Sequence, residues 1–286
     1  MTTMPTRRLG GLQVSAIGLG EMQLSLAGRP DEAQAFRTVH AALDAGVTLI
    51  DTADAYCIDE SDVGHGERLV AEALATWPGE RDRVLVATKG GHTRPGGEWE
   101  LDGRPEHLRR ACEASLRALG VDTIGLYQFH RPDPRVPFAE SVGALAELKA
   151  AGKVRLVGLS NVSVDQINQA RQLVEVASVQ NEFSPRFRRS EGELVFCAAQ
   201  RIAFLPWSPL GGSHQSRGLG GRHRAFAEVA DAHGVSPQQV ALAWELAKAP
   251  VVIPIPGASR PETITDSLAA AGLRLSDDEL ARLDRV

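Results

Sequence analysis

Short apolar runs recur along the chain and alternate with longer stretches in which apolar and charged residues interleave. Most of the runs are continuously apolar, as is typical of parallel strands that are buried on both faces. Their alternation with helical stretches indicates repeated strand–helix units around a parallel sheet. The eight predicted strands span residues 14–19, 47–50, 84–87, 124–129, 154–159, 177–179, 202–205 and 251–255.

The predicted helices are bounded by residues that suit helix ends. Apolar positions in 106–119 recur at helical spacing, with charged residues between them. Ser163 and Ser276 are each followed three residues later by Gln or Glu, which is the pattern of a capping box. Ser236 precedes a proline, a combination that favours the first turn of a helix. Three glycines stand where helices should end before the next strand, namely Gly46, Gly120 and Gly152.

A closed barrel and an open, doubly wound sheet would both satisfy this pattern. We favour the barrel because no Gly-x-Gly-x-x-Gly motif follows any strand and because the units continue without a break. We therefore predict an α/β protein with one (β/α)8 TIM-barrel domain over residues 1–286. Residues 6–15 predict an N-terminal β-hairpin under the barrel floor. Residues 236–248 and 276–285 predict extra helices near the C-terminus.

Polar residues stand at the ends of most predicted strands. In a barrel these ends share the C-terminal mouth, where strand ends and loops converge on one pocket. The mouth is therefore the expected place for chemistry, and Tyr56 follows closely on the second strand. The strand-end residues are Asp51, Lys89, His130, Ser160, Asn161, Gln180, Asn181, Trp207 and Ser208.

Four of these residue types form a plausible proton-transfer set. A phenol has an ordinary pKa of about 10, and a nearby ammonium such as that of Lys89 lowers the pKa of Tyr56. Asp51 can hold the lysine, and His130 can donate a hydrogen bond to a carbonyl oxygen. Together they would stabilise negative charge on that oxygen and protonate it. Since no Ser-His-Asp or Cys-His arrangement stands out, the natural source of attack on the carbon is hydride from a nicotinamide.

Seven motifs follow one another in order along the chain. They are Asp-Thr-Ala-Asp-Ala-Tyr (51–56), Ala-Thr-Lys-Gly-Gly (87–91), Leu-Tyr-Gln-Phe-His (126–130), Gly-Lys-Val-Arg-Leu-Val-Gly-Leu-Ser-Asn (152–161), Val-Gln-Asn-Glu-Phe-Ser (179–184), Pro-Trp-Ser-Pro-Leu-Gly (206–211) and Ile-Pro-Gly-Ala-Ser-Arg (255–260). Through these motifs the chain resembles the aldo-keto reductases over nearly its whole length. The resemblance implies a tetrad of Asp51, Tyr56, Lys89 and His130, with Tyr56 as proton donor. It also implies that NADPH/NADP+ binds across the barrel mouth without a Rossmann fold.

The same resemblance implies the residues that hold the cofactor. Asp51 is one of these cofactor-binding residues. Ser160, Asn161 and Gln180 are expected to hold the carboxamide of the nicotinamide. Trp207 stacks on the ring. Further expected contacts are Gly20 and Met22 near the ribose, Ser208, Pro209 and Leu210 after strand seven, Gly257 at the phosphate-binding start of the last helix, Ser259 and Arg260 at the 2′-phosphate, and Thr263, Asp266 and Ser267 near the adenine. The glycine-rich segment 211–221 departs from the family pattern, and we predict that it is a flap over the cofactor pyrophosphate with Arg217 as a contact.

The expected substrate is a small aldehyde or ketone, contacted by Tyr56, His130 and Trp99. Pyridoxal-like or general aldehydes, sugars and natural-product ketones all stay open, because loops build the pocket and vary freely on this scaffold. The loop 57–66 is longer and more acidic than that of many relatives. An alternative function is a cofactor-binding regulatory or sensor subunit with little turnover.

Composition removes several other classes of function. The net charge of −5 leaves no basic field for nucleic acid or anionic membranes. No stretch approaches the roughly 20 apolar residues that a membrane span needs, so we expect a cytoplasmic protein with no membrane partner. The three cysteines form no Cys-x-x-Cys motif, and no His-x-His motif points to a metal. No interface is readable, and a monomer is the default expectation.

Overall fold

The computed structural model describes residues 4–212 and 218–285. The chain begins with an antiparallel hairpin of β1 (Thr6–Leu9) and β2 (Leu12–Ser15), as predicted. Gly10 makes the turn with φ of +57°, a conformation that favours glycine. Leu9 and Val14 are buried in one cluster with residues from inside the barrel, so the hairpin closes the barrel floor.

Seven parallel strands follow one another around the barrel. They are β3 (Leu19–Gly20), β4 (Leu49–Asp51), β5 (Leu85–Gly90), β8 (Ile124–Phe129), β9 (Val154–Ser160), β10 (Val176–Gln180) and β11 (Ala203–Phe204), each paired with its neighbours in that order. Between β5 and β8 the chain makes a small antiparallel hairpin of β6 (His92–Thr93) and β7 (Glu100–Leu101). This hairpin is an insertion at the C-terminal mouth.

Two predicted strands need correction. The run 14–19 is not one strand, because β2 ends at Ser15 and β3 begins at Leu19. The run 251–255 is extended but does not form a regular strand. Its Ile253 amide donates to Phe204 O at 2.8 Å on one side, and Pro254 O accepts from Gly18 N at 2.9 Å on the other. Because prolines have no N–H, the segment 251–255 lacks backbone donors on the side that faces β3. The segment nevertheless closes the barrel.

The side chains of the strands alternate between two buried layers. Leu49, Leu85 and Leu126 point into the barrel, whereas Ile50 and Tyr127 face the helices outside it. Burial on both faces explains why the runs read as continuously apolar. The (β/α)8 TIM-barrel prediction is confirmed.

The helices follow the predicted units. They are α1 (Glu32–Asp44), α2 (His65–Thr76), α3 (Pro105–Leu119), α4 (Phe138–Ala150), α5 (Val164–Arg171), α6 (Glu191–Gln200), α7 (Leu219–Arg222), α8 (Arg224–His233), α9 (Pro237–Lys248), α10 (Pro261–Ala269) and α11 (Asp277–Leu283). Both capping boxes form, at Ser163 and Ser276, and Ser236 caps α9.

Two features near the C-terminal third differ from the sequence prediction. Helix α8 was not predicted, although it packs Phe226 and Val229 into the outer core. The predicted flap 211–221 ends in a helical turn, because Leu219 already belongs to α7. Residues 213–217 lie outside the described residues. No helix in the described part of the chain is long and apolar enough to cross a bilayer.

Candidate active site

Lys89 is the centre of a buried polar cluster at the barrel mouth. Its ammonium donates to Asp51 Oδ2 at 2.6 Å, to Tyr56 OH at 3.0 Å and to Thr52 O at 2.9 Å. The Lys89 side chain is fully buried, and that of Asp51 is nearly so. A buried ammonium needs such partners, because an unpaired charge in the protein interior is strongly destabilising.

The strands themselves aim these groups inward. Side chains two residues apart on a strand share a face, so Asp51 follows Leu49 and Lys89 follows Leu85 and Ala87 into the barrel. The polar groups therefore form a layer directly above the apolar filling. Tyr56 reaches the same point from the loop after β4.

Burial decides the protonation of this cluster. Burial raises the pKa of Tyr56 above its ordinary value, and the attraction of Lys89 only partly opposes this. Lys89 thus lowers the pKa of the phenol, as expected, but burial outweighs it and the net shift is upward. Burial by itself would lower the pKa of Lys89, but Asp51 and Tyr56 together raise it above its ordinary value. The phenol stays protonated and the amine stays charged near neutral pH.

The second oxygen of Asp51 is held by two amides. Gln128 Nε2 donates to Asp51 Oδ1 at 3.0 Å and Gln180 Nε2 donates to it at 2.7 Å. Gln180 was predicted at the nicotinamide, and here its amide nitrogen faces the carboxylate. Gln128 was missed, although its position two residues after the inward Leu126 was a usable signal.

His130 stands beside the phenol. Its ring lies edge-on to that of Tyr56 with centroids 5.8 Å apart, and His92 lies 4.4 Å away on another side. Burial, together with the charges of Lys89, His92 and Arg131, holds the pKa of His130 well below its ordinary value. The imidazole is therefore neutral. Its Nδ1 is buried and has no hydrogen-bond partner among the described residues.

The ends of β9, β10 and β11 are linked by side-chain hydrogen bonds. Ser160 Oγ donates to Gln180 O at 2.8 Å, and Asn161 Nδ2 donates to His130 O at 3.0 Å. The indole of Trp207 donates to Asn161 Oδ1 at 3.2 Å. Asn161 has φ of +58°, an uncommon value that such a network can hold in place.

These residues surround one pocket of about 680 Å³. The predicted residues that line it are Gly20, Met22, Asp51, Tyr56, Trp99, His130, Ser160, Asn161, Gln180, Trp207, Ser208, Pro209, Leu210 and Gly257. Gly212, from the predicted flap, also lines the pocket. Other lining residues were not predicted, including Gln23, Leu26, His92, Leu101, Arg131, Ile255 and Pro256. Most of these come from loops, whose direction a linear pattern does not reveal.

Among the predicted phosphate and adenine residues that the structure describes, Gly257 lines this pocket and the others do not. Arg260 is the exposed N-cap residue of α10, and its side chain makes no hydrogen bond or ion pair with the described residues. Ser259 and Thr263 are half-buried beside it, and Ser267 is buried in α10. The carboxylate of Asp266 accepts hydrogen bonds from α9 and its cap, so part of it is used structurally. Arg217 lies outside the described residues.

The inserted hairpin supplies an aromatic wall. Trp99 lies edge-on to Tyr56 with centroids 6.4 Å apart, and to His92 at 5.3 Å. The guanidinium of Arg94 covers its other side at 4.1 Å and also donates to backbone carbonyls of the 55–58 loop, including Cys57 O at 2.8 Å. Trp99 thus lines the pocket beside Tyr56 and His130, although 43% of its surface is exposed.

Glu21 is a buried carboxylate that the sequence did not bring to attention. Thr52 Oγ1 donates to it at 2.8 Å, and the hydroxyl of Ser25 donates to its other oxygen. His65 Nδ1 lies 2.9 Å from that hydroxyl. Burial raises the pKa of Glu21 from an ordinary 4.5 to about 7, with Lys89 among the groups that oppose the rise.

The acidic loop 57–66 turns away from the pocket. Asp62 pairs with Arg29 at 2.6 Å, and Glu60 Oε2 accepts from Gly96 N at 2.6 Å. Residues of this loop instead line a second cavity on the outer side of His92. Within residues 4–212 and 218–285, no three His, Cys, Asp or Glu side chains converge as metal ligands would.

The fold and the site define a barrel enzyme with its chemistry at the C-terminal mouth. The sequence profile of the Aldo/keto reductase family matches residues 16–286, and the chain belongs to that family.

Individual relatives agree with this assignment. The chain is 37% identical over 284 residues to an uncharacterised oxidoreductase of Schizosaccharomyces pombe, covering 98% of this chain and 89% of that protein. It is 38% identical over 279 residues to a 6-dehydroglucose reductase of Novosphingobium aromaticivorans, covering 94% and 90%. A crystal structure of an aldo/keto reductase from Klebsiella pneumoniae with NADP and acetate matches with a TM-score of 0.81, 29% identity and coverage of 99% and 95%. The predicted class of NADP(H)-dependent oxidoreductase is confirmed.

Proposed function

We propose that the protein reduces an aldehyde or ketone to the alcohol with NADPH, and that Tyr56 donates the proton. One observation carries this proposal: the Lys89 ammonium hydrogen-bonds both Asp51 and Tyr56 at the edge of the pocket that His130 and Trp207 also line.

We also propose that the whole chain is one domain, since segment 251–257 bonds to both β11 and β3.

The residues at the mouth fit a nicotinamide cofactor. Trp207 offers a flat aromatic face in the pocket, and Asn161 and Ser160 offer amide and hydroxyl groups beside it. Arg260 is exposed at the start of α10 with its donors free among the described residues, which suits an adenosine 2′-phosphate. The volume of the pocket lies within the range of small-molecule sites. When bound, NADPH supplies hydride from C4 of the nicotinamide to the carbonyl carbon.

Side chains of the protein protonate the carbonyl oxygen and stabilise the negative charge on it. The Tyr56 hydroxyl gives its proton to that oxygen as negative charge develops there. The Lys89 ammonium then stabilises the phenolate. The hydrogen bond from Lys89 to Asp51 keeps the ammonium in position. His130, held neutral, donates a second hydrogen bond to the same oxygen. Protonation from bulk solvent at neutral pH restores Tyr56.

Replacement of Tyr56 by Phe tests this assignment. It removes the proton donor but keeps the aromatic packing against His130 and Trp99. We expect turnover of a broad aldehyde panel, followed by NADPH absorbance, to fall at least about 100-fold, which is typical of a lost general acid. NADPH affinity, followed by quenching of Trp fluorescence, should stay within a few-fold. Full activity of the variant would remove Tyr56 from the mechanism.

Substrate identity is the finer part of the proposal. The resemblance to a 6-dehydroglucose reductase favours sugar-derived carbonyl compounds, and pyridoxal-like aldehydes remain in the panel. Tight NADPH binding with no turnover of any carbonyl compound would instead indicate the cofactor-binding sensor subunit.

A further inference from the structure

Arg131 directly follows the histidine of the tetrad and lines the same pocket. Its side chain is exposed, and it makes no hydrogen bond or ion pair with any residue of the described ranges. Its positive charge reaches His130 and contributes to holding the pKa of that imidazole down. An arginine in a pocket wall with all its donors unused is available to a ligand.

The other cationic side chains nearby already have hydrogen-bond or ion-pair partners. Lys89 is bound to Asp51 and Tyr56, and the guanidinium of Arg94 donates to several backbone carbonyls. Arg135, four residues farther on, is paired with Asp133 at 2.9 Å. In the described part of the chain, Arg131 is therefore the one unpaired cation that lines the pocket.

No carboxylate of the described residues forms an ion pair with Arg131. Asp51 is paired with Lys89, and in the acidic loop 57–66 Asp62 is paired with Arg29 while Glu60 lines the second cavity instead. The charge of Arg131 opposes the rise that burial causes in the pKa of Glu182, but the two side chains form no ion pair in the structure. Arg131 therefore places an unpaired positive charge close enough to His130 to act on its imidazole.

We propose that Arg131 binds a carboxylate of the substrate, so that the preferred substrates are small carbonyl compounds that carry a carboxylate. The inference rests on the proposed carbonyl reduction and names its substrate class. A guanidinium fork matches the two oxygens of a carboxylate and binds them through paired hydrogen bonds. Because Arg131 is the neighbour of His130 in the chain, the carboxylate lies a short chain of atoms from the reacting carbonyl. A single guanidinium suits a monoanion, whereas phosphate sites commonly gather several donors.

A matched pair of substrates tests this assignment. The aldehyde 4-oxobutanoate and its methyl ester have the same reacting group and differ in the negative charge. The measured quantity is the ratio of kcat/KM for the acid to that for the ester, since general losses of activity cancel in it. We expect the wild-type ratio to be about 10 to 100, the range that a hydrogen-bonded charged group provides.

Three variants are compared with the wild type. Arg131→Gln should bring the ratio close to one. Arg131→Lys should give an intermediate ratio, because lysine keeps the charge without the fork. Arg135→Gln is the matched control, since it removes an exposed arginine that does not line the pocket, and it should keep the wild-type ratio.

The outcomes separate the two proposals. A wild-type ratio near one, or an unchanged ratio in Arg131→Gln, overturns the carboxylate site while leaving the reductase assignment intact. Absence of NADPH-dependent turnover with both compounds and with the whole neutral aldehyde panel contradicts the proposed function itself, and the inference falls with it.

Discussion

Glu21 gives the most quantitative prediction, because its carboxylate is enclosed beneath the active site. Replacing it with Gln removes an ionisable group while keeping the shape. The hydrogen bonds can adapt: the amide nitrogen can donate to Ser25 Oγ, whose own hydrogen can turn to His65 Nδ1, and the amide oxygen can still accept from Thr52. The charged groups that face it are Lys89 and Asp51, and neither is altered.

The magnitude follows from the pKa. Burial raises the pKa of Glu21 from 4.5 to about 7. Each pKa unit corresponds to about 1.4 kcal/mol, so ionising Glu21 destabilises the folded state by about 3 kcal/mol relative to the unfolded chain. Between these two pH values the folded protein retains a proton that the unfolded chain has lost. The contribution of Glu21 to stability is therefore present at low pH and is lost as pH rises from about 4.5 through about 7.

The assay is urea unfolding of the wild type and of Glu21→Gln at several pH values. The free energy of unfolding of the variant, minus that of the wild type, should grow by about 2 to 3 kcal/mol between about pH 5 and pH 8. Glu72→Gln, on the exposed face of α2, is the control and should show no such trend. A difference that is constant across this pH range would refute the argument.

Two further predictions address packing and cofactor choice. A Cβ at Gly66 would stand 2.4 Å from Glu21 Oε2 and 2.6 Å from Thr52 Oγ1, so Gly66→Ala should destabilise by about 1 to 3 kcal/mol in thermal or urea unfolding. Gly143→Ala on α4 meets nothing within 4 Å and should be neutral or stabilising; equal losses for both variants would contradict the packing argument. Arg260→Ala should raise the KM for NADPH far more than that for NADH, and equal increases in steady-state kinetics would remove Arg260 from the 2′-phosphate site.

Some of the site could be predicted because parallel strands end at one place. Asp51, Lys89 and His130 each follow an apolar run, and the barrel brings such ends together whatever the loops do. The helix caps at Ser163 and Ser276 were equally accessible, since capping is a local interaction within four residues.

Quantities that depend on enclosure were not accessible from the linear pattern. The pKa of Tyr56 rises because burial outweighs the attraction of Lys89, and burial is the product of many distant segments. Glu21 meets Thr52, and Ser25 links it to His65, only when β3, β4 and α2 are assembled. The apolar run 251–255 predicts an eighth strand, but the prolines in this segment determine which backbone hydrogen bonds it makes with its neighbours.

The sequence by itself determined the barrel, the family and the residues at the strand ends, because these depend on short-range periodicity and on the direction of parallel strands. Only the tertiary structure decided that the acidic loop 57–66 faces outward and that His92 and Arg131 face the pocket. Loop direction depends on contacts between residues far apart in the chain, such as those of Arg94 with the loop carbonyls, and no local pattern encodes them.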